Sequence, residues 1–116
     1  MKIFYSPNQS IGKKKQHNEE FFLLQELKSV EILNPRNGYL TMKESFTEVE
    51  SVDAYVISAH NGFITKAQFF ELIHCLCNKI PIYRLFNTGV QLLLKKFDNK
   101  IIRFDTSDYT KYGRLA

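Results

Sequence analysis

Residues 52–85 read VDAYVISAHNGFITKAQFFELIHCLCNKIPIYRL, and their pattern decides the fold. Asp53 opens a continuous apolar run from Ala54 to Ile57, which suits a strand buried on both faces of a parallel sheet. Ser58 to Ile64 is a loop holding Asn61-Gly62, a dipeptide that is also a hairpin signal. Helical spacing follows at once. Thr65 with Gln68 three residues on makes a capping box, and Phe69, Leu72, Ile73 and Leu76 form one apolar stripe. Asn78-Lys79 ends the helix. Ile80 to Phe86 is the next strand, with Pro81 at its entrance, where a missing N–H matters least. Strand, helix, strand in this order predicts parallel pairing through a right-handed crossover.

The same logic extends toward the N-terminus. Lys2 to Tyr5 reads as a first strand ending at Ser6-Pro7-Asn8, with a loop through Lys15. From Gln16 onward Phe21, Leu24 and Leu27 recur at helical spacing. Glu19 and Glu20 are polar residues of that helix's first turn, where its dipole favours acids. Val30 to Leu33 is a short strand closed by Asn34-Pro35. Asn37-Gly38 marks a turn, and Met42 to Val49 reads as a short helix with Phe46 and Val49 inward. Toward the C-terminus two readings stand. Either Val90 to Leu94 and Lys100 to Phe104 are strands flanking Asp98-Asn99, or Val90 to Phe97 is a helix. The tail from Asp105 is polar, with Tyr109 and Tyr112, and is either loose or packed on a partner subunit. The expectation is one α/β domain over residues 1–116, a Rossmann-like three-layer sandwich with a mostly parallel sheet of four to five strands.

Composition narrows the class. A 116-residue chain with 44% apolar residues fits one globular domain. Nothing in it approaches eighteen consecutive apolar residues, and Met-Lys-Ile-Phe-Tyr runs straight into strand-like sequence rather than a secretory leader. The expected location is the cytoplasm, with no membrane partner. Cys75 and Cys77, two apart on a helix, point about 200° from each other, so they are read as reduced structural thiols. The net charge of +4 permits anionic partners. Lys13-Lys14-Lys15 reads as a solvated loop ahead of a nucleic-acid patch, because no aromatic ladder interleaves with it.

Chemistry belongs beyond the carboxyl ends of parallel strands. That selects the loops Ser6 to Lys15, Ser58 to Thr65 and Asn87 to Gly89, of which the first two lead into helix N-termini that welcome anions. Neither carries a dinucleotide or triphosphate glycine signature. Glu71 is the only acid between Asp53 and Asp98. Helical periodicity places it opposite the apolar stripe, which reads as an exposed glutamate; its place after the central strand also lets it look into the cleft. His17, His60 and His74 are scattered without metal-ligand spacing, so no metal or cofactor is expected. Asp53 starts its strand, away from the cleft, and is read as structural.

Several short motifs together resemble one family. The run Val52 to Ile57, then Asn61-Gly62, then Gln68-Phe69-Phe70-Glu71-Leu72, then Lys79-Ile80-Pro81-Ile82-Tyr83 is similar to the nucleoside 2-deoxyribosyltransferase-like superfamily. Lys2 to Pro7 resembles its first strand, and Ile32-Leu33-Asn34-Pro35 its second-strand ending. The resemblance covers most of residues 1–86. It implies a Rossmann-like domain acting on the N-glycosidic bond of a nucleoside or nucleotide, as a transferase or a hydrolase. Carried over, Glu71 is the nucleophile at C1′ of the sugar. Tyr5 and Ser6 lie at the end of the first strand, Tyr5 near the sugar and the nucleophile Glu71, and Asn61 and Gly62 line the loop that meets the ligand. It further implies self-association that completes a shallow cleft.

This chain departs from that pattern. Thr65-Lys66-Ala67 stands where the family has a glycine ahead of the glutamate helix, and Lys66 offers a phosphate contact instead. Asn61 stands where an acid often protonates the base, and Leu72-Ile73 where glycine often follows the glutamate. A non-catalytic nucleotide-binding or sensing module is the alternative, and a small nucleic-acid-interacting protein the second.

Overall fold

A computed structural model describes residues 1–8, 19–20, 22, 24–25, 31–33, 42–87, 92–98, 100–103 and 111–115. In chain order these form β1 (Lys2–Ser6), β2 (Glu31–Leu33), α1 (Met42–Glu50), β3 (Ala54–Ser58), β4 (Phe63–Ile64), α2 (Lys66–Cys77), β5 (Ile82–Asn87), β6 (Leu92–Lys96), β7 (Ile101–Arg103) and β8 (Gly113–Leu115). Glu19, Glu20, Phe22, Leu24 and Gln25 are helical. The expectations on Lys13-Lys14-Lys15, His17, Asn34-Pro35, Asn37-Gly38, Thr88-Gly89 and Tyr109 lie outside the described residues.

The fold is mixed α/β. Five strands form one sheet in the order β2-β1-β3-β5-β6. The first four are mutually parallel, and β6 runs antiparallel to β5. The chain therefore leaves β1 toward β2 on one side, then crosses back to place β3 on the other side. That reversal makes the carboxyl ends of β1 and β3 the crevice of the sheet.

Strand parity sorts the side chains. Phe4, Tyr55 and Ile57 join Val49, Leu72 and Cys75 on the face covered by α1 and α2. Ile3, Tyr5, Ala54, Val56 and Leu85 join Leu24 on the opposite face. All five residues of β3 are buried, as a central strand reading as a continuous apolar run requires. Asp53 accepts a 2.7 Å hydrogen bond from the Lys2 backbone N–H at the amino edge, a structural role.

Helix α2 begins as its sequence predicts. Both halves of the capping box are present: Gln68 N–H donates to Thr65 Oγ1 at 3.2 Å, and Thr65 N–H donates to Gln68 Oε1 at 2.9 Å. Its inward face differs from the expected stripe. The buried residues are Gln68, Glu71, Leu72 and Cys75, whereas Ile73 is exposed and Phe69 and Leu76 are half-buried. The helix is turned so that a partly polar face meets the sheet, because the strand ends beneath it present hydroxyls and carbonyls.

Ser58 to Ile64, expected as a loop running straight into a helix, instead closes a hairpin turn into a short strand, as Asn61-Gly62 also signals, and the helix follows that strand. His60 bridges Phe63 across a two-residue turn whose φ angles are 52° at Asn61 and 83° at Gly62, the positive-φ pair that Asn-Gly adopts readily. The turn leads into β4, which joins β8 and β7 in a small antiparallel sheet. Among the described residues of the C-terminal third, Leu92 to Lys96 form a strand rather than a helix, and β6 and β7 join different sheets. Described tail residues are tied down: Tyr112 is buried, its N–H donates to Ile64 O at 3.1 Å, and its ring meets Phe69 edge-on at 5.2 Å.

The two thiols differ as their spacing predicts. Both are free, with Cys75 buried and Cys77 exposed. Burial, helped by the nearby Glu71 charge, pushes the Cys75 thiol up to about 12, which removes its thiolate at neutral pH. Iodoacetamide on the native protein should therefore modify Cys77 and spare Cys75, with both modified in urea. Equal native labelling, read by peptide mass, would contradict this packing of α2.

Candidate functional site

Two buried carboxylates flank the carboxyl ends of β1 and β3, one on each face of the sheet. On the α1/α2 face, Glu71 Oε1 accepts from Ser6 Oγ at 2.7 Å and from the Tyr55 hydroxyl at 3.0 Å. Parity brings these donors together. Ser6 pairs with Ile57 and Phe4 with Tyr55, so Ser6 and Tyr55 stand diagonally on one face, and the long tyrosine reaches back to the same oxygen. On the other face, Glu20 accepts from the Tyr5 hydroxyl at 2.8 Å and from Ser58 Oγ at 2.6 and 2.8 Å.

Gln68 joins the two strands between these clusters. Its Nε2 donates to Ser6 O at 2.9 Å and to Ser58 O at 2.8 Å, while its Oε1 takes the Thr65 N–H. Three positions of one amide are thereby used at a buried point where two parallel strands end and their last carbonyls need donors.

Glu71 is only 5% exposed. Burial raises its pKa, and hydrogen bonds from Ser6, Tyr55 and Ser45 of α1 pull it down only part of the way. Tyr55 is raised well above its ordinary value, first by burial and then by the Glu71 charge, so its hydroxyl stays protonated and donates. The raised carboxyl has a consequence for stability. Below about pH 4.5 the group is protonated in the folded and unfolded chain alike, and its contribution is fully present. That contribution is lost as pH rises through the raised folded value, because the unfolded chain ionises first. Urea titrations across this range should show the wild type losing stability relative to Glu71→Gln with rising pH. A relative gain would contradict the inward placement of the carboxyl.

The residues selected from sequence fall in four places. Ser6 and Glu71 are brought together, and Glu71 points inward rather than out into solvent as the apolar stripe suggested. Tyr5 lies on the opposite face and meets Glu20, because consecutive strand residues alternate sides. Asn61 and Gly62 form the turn, where Asn61 Nδ2 lies 3.2 Å from His60 Nε2 and Gly62 O accepts from Leu115 N–H at 2.8 Å. Lys66 opens α2 and packs over Phe70 and Tyr112.

Glu20, Tyr55, Ser58 and Gln68 were missed as site residues. Glu20 had a readable signal: it stands four residues before Leu24, on the inward stripe. His74 pairs with Glu50 at 2.9 Å and stacks on Phe46, away from Glu71's hydroxyl partners. Among the described residues no His, Cys, Asp and Glu gather in a group of three or more able to hold a metal, and no helix is long and apolar enough to cross a membrane.

The chain was compared with family models, curated proteins and solved structures, and none of the three comparisons gives a match.

Proposed function

We propose that the protein is a Rossmann-like domain that holds a nucleoside or nucleotide at the carboxyl ends of β1 and β3 and acts on its N-glycosidic bond. The observation that carries this reading is Glu71, buried at the sheet's crossover point and gripped by Ser6 and Tyr55. In the proposed reaction a Glu71 carboxylate oxygen bonds to C1′ as the C1′–N bond breaks. The base departs with the bonding electron pair and takes up a proton. Water or a second base then displaces Glu71 from C1′, as in retaining glycosidases. Ser6 and Tyr55 hold the carboxylate in place and favour its ionised form. The chemistry calls for no metal or cofactor. Self-association belongs to the same reading, since a second copy would deepen a shallow cleft.

Deoxynucleosides and their monophosphates, incubated with the protein and resolved by chromatography, test this reading. Free base released in proportion to enzyme is expected from at least one of them. No release from any would overturn it.

The raised Glu71 pKa and Asn61 in place of an acid favour one other reading, a non-catalytic nucleotide-binding module in the same crevice. It predicts a thermal shift without base release. A nucleotide at 100 times its dissociation constant stabilises by about 2.7 kcal/mol.

A further inference from the structure

A second surface is built from cations and aromatic rings on β4, the first turns of α2, and the segment around β8. Lys111 Nζ lies 5.6 Å and the Arg114 guanidinium 5.9 Å from the centre of the Phe63 ring. Lys66 Nζ lies 5.9 Å from the Phe70 ring and 5.8 Å from the Tyr112 ring. The two foci are joined through Lys111-Tyr112 and through the pairing of Phe63 with Arg114. Phe70, at 38% exposure, and the exposed Lys111 and Arg114 face solvent. Arg114 lies against the turn: its Nε is 3.4 Å, an ordinary contact distance, from where a Cβ on Gly62 would stand. Residues 59–70 and 111–115, which build the surface, contain no Asp or Glu.

We propose that this surface binds single-stranded nucleic acid, with Lys66, Lys111 and Arg114 along the phosphates and Phe70 and Phe63 as stacking platforms for bases. Cations interleaved with aromatic rings suit a flexible polyanion whose bases are unpaired and free to stack; a duplex hides its base faces. The chain's net charge of +4 acts in the same direction. The surface borders the crevice, since Asn8 Nδ2 at the end of β1 donates to Phe63 O at 3.1 Å. It does not depend on the glycosidic reading, and its test needs no catalysis.

Fluorescence anisotropy of labelled oligothymidylate and oligouridylate, against a duplex of equal length, tests the proposal and separates DNA from RNA. Binding of at least one single strand in preference to the duplex is expected. Its logarithmic affinity should fall with logarithmic salt at a slope of about −2, three phosphate contacts at about −0.7 each. Phe70→Ala should weaken binding roughly tenfold. Lys111→Glu and Arg114→Glu should weaken it and flatten the slope, whereas Lys43→Glu on the exposed face of α1 makes the same charge change and should do neither. Circular dichroism confirms that each variant is folded. Equal binding of duplex, an unchanged Phe70→Ala, or an equal loss with Lys43→Glu overturns the proposal.

Discussion

Glu71→Gln is expected to stop base release while leaving the fold in place. The amide has nearly the carboxylate's shape, and its carbonyl oxygen can still accept from Ser6 and Tyr55, which now bond Glu71 at 2.7 and 3.0 Å. It cannot form the bond to C1′. Loss of a covalent nucleophile lowers turnover by a factor on the order of 10⁴ or more. Glu71→Ala differs: it strands the buried hydroxyls of Ser6, Tyr55 and Ser45, each at about 1–3 kcal/mol, so a fall in its activity mixes chemistry with stability. The comparison is made by single-turnover chromatography alongside a thermal melt. A Gln variant that keeps most of its activity would remove Glu71 from the reaction.

Gln68→Leu is expected to be the most damaging single change to the fold among the polar residues of α2. Two buried strand-end carbonyls, Ser6 O and Ser58 O, lose their donor, and Thr65 N–H loses its acceptor. With unsatisfied buried groups at about 1–3 kcal/mol each and a weakened cap beside them, the loss is roughly 3–5 kcal/mol. A domain with about 5–15 kcal/mol of stability would feel this strongly. Gln68→Glu should be at least as harmful, since carboxylate oxygens would face two carbonyls. Denaturant midpoints measure both, and a loss under about 1 kcal/mol for the Leu variant would contradict the clamp.

What the sequence made legible was local. The apolar run at β3 announced a central parallel strand, and Thr65 and Gln68 announced the start of α2. The rotation of α2 was not legible, because apolar periodicity assumes that the inward face is apolar. Phe69 and Ile73 outweigh Gln68 and Glu71 on that scale, yet the sheet beneath offers the hydroxyls of Ser6 and Tyr55 and the carbonyls of Ser6 and Ser58, and polar partners there repay polar burial. Phe69 instead packs on Tyr112, more than forty residues away, a contact that no local window can see. Tyr5 was joined to the wrong carboxylate for a simpler reason. Strand alternation separates it from Ser6, and the helix dipole alone accounts for a first-turn acid such as Glu20, which nevertheless sits four residues before the buried Leu24.

Attack of Glu71 on C1′ leaves a covalent glycosyl-enzyme, and that species can be trapped. A deoxynucleoside carrying fluorine at C2′ slows breakdown of the glycosyl-enzyme by destabilising the electron-poor transition state. Intact-mass spectrometry after incubation should show one added fluorosugar per chain, mapped by peptide fragmentation to Glu71 and absent from Glu71→Gln. A protein that releases base yet gains no adduct, or carries it on Glu20, would contradict the account.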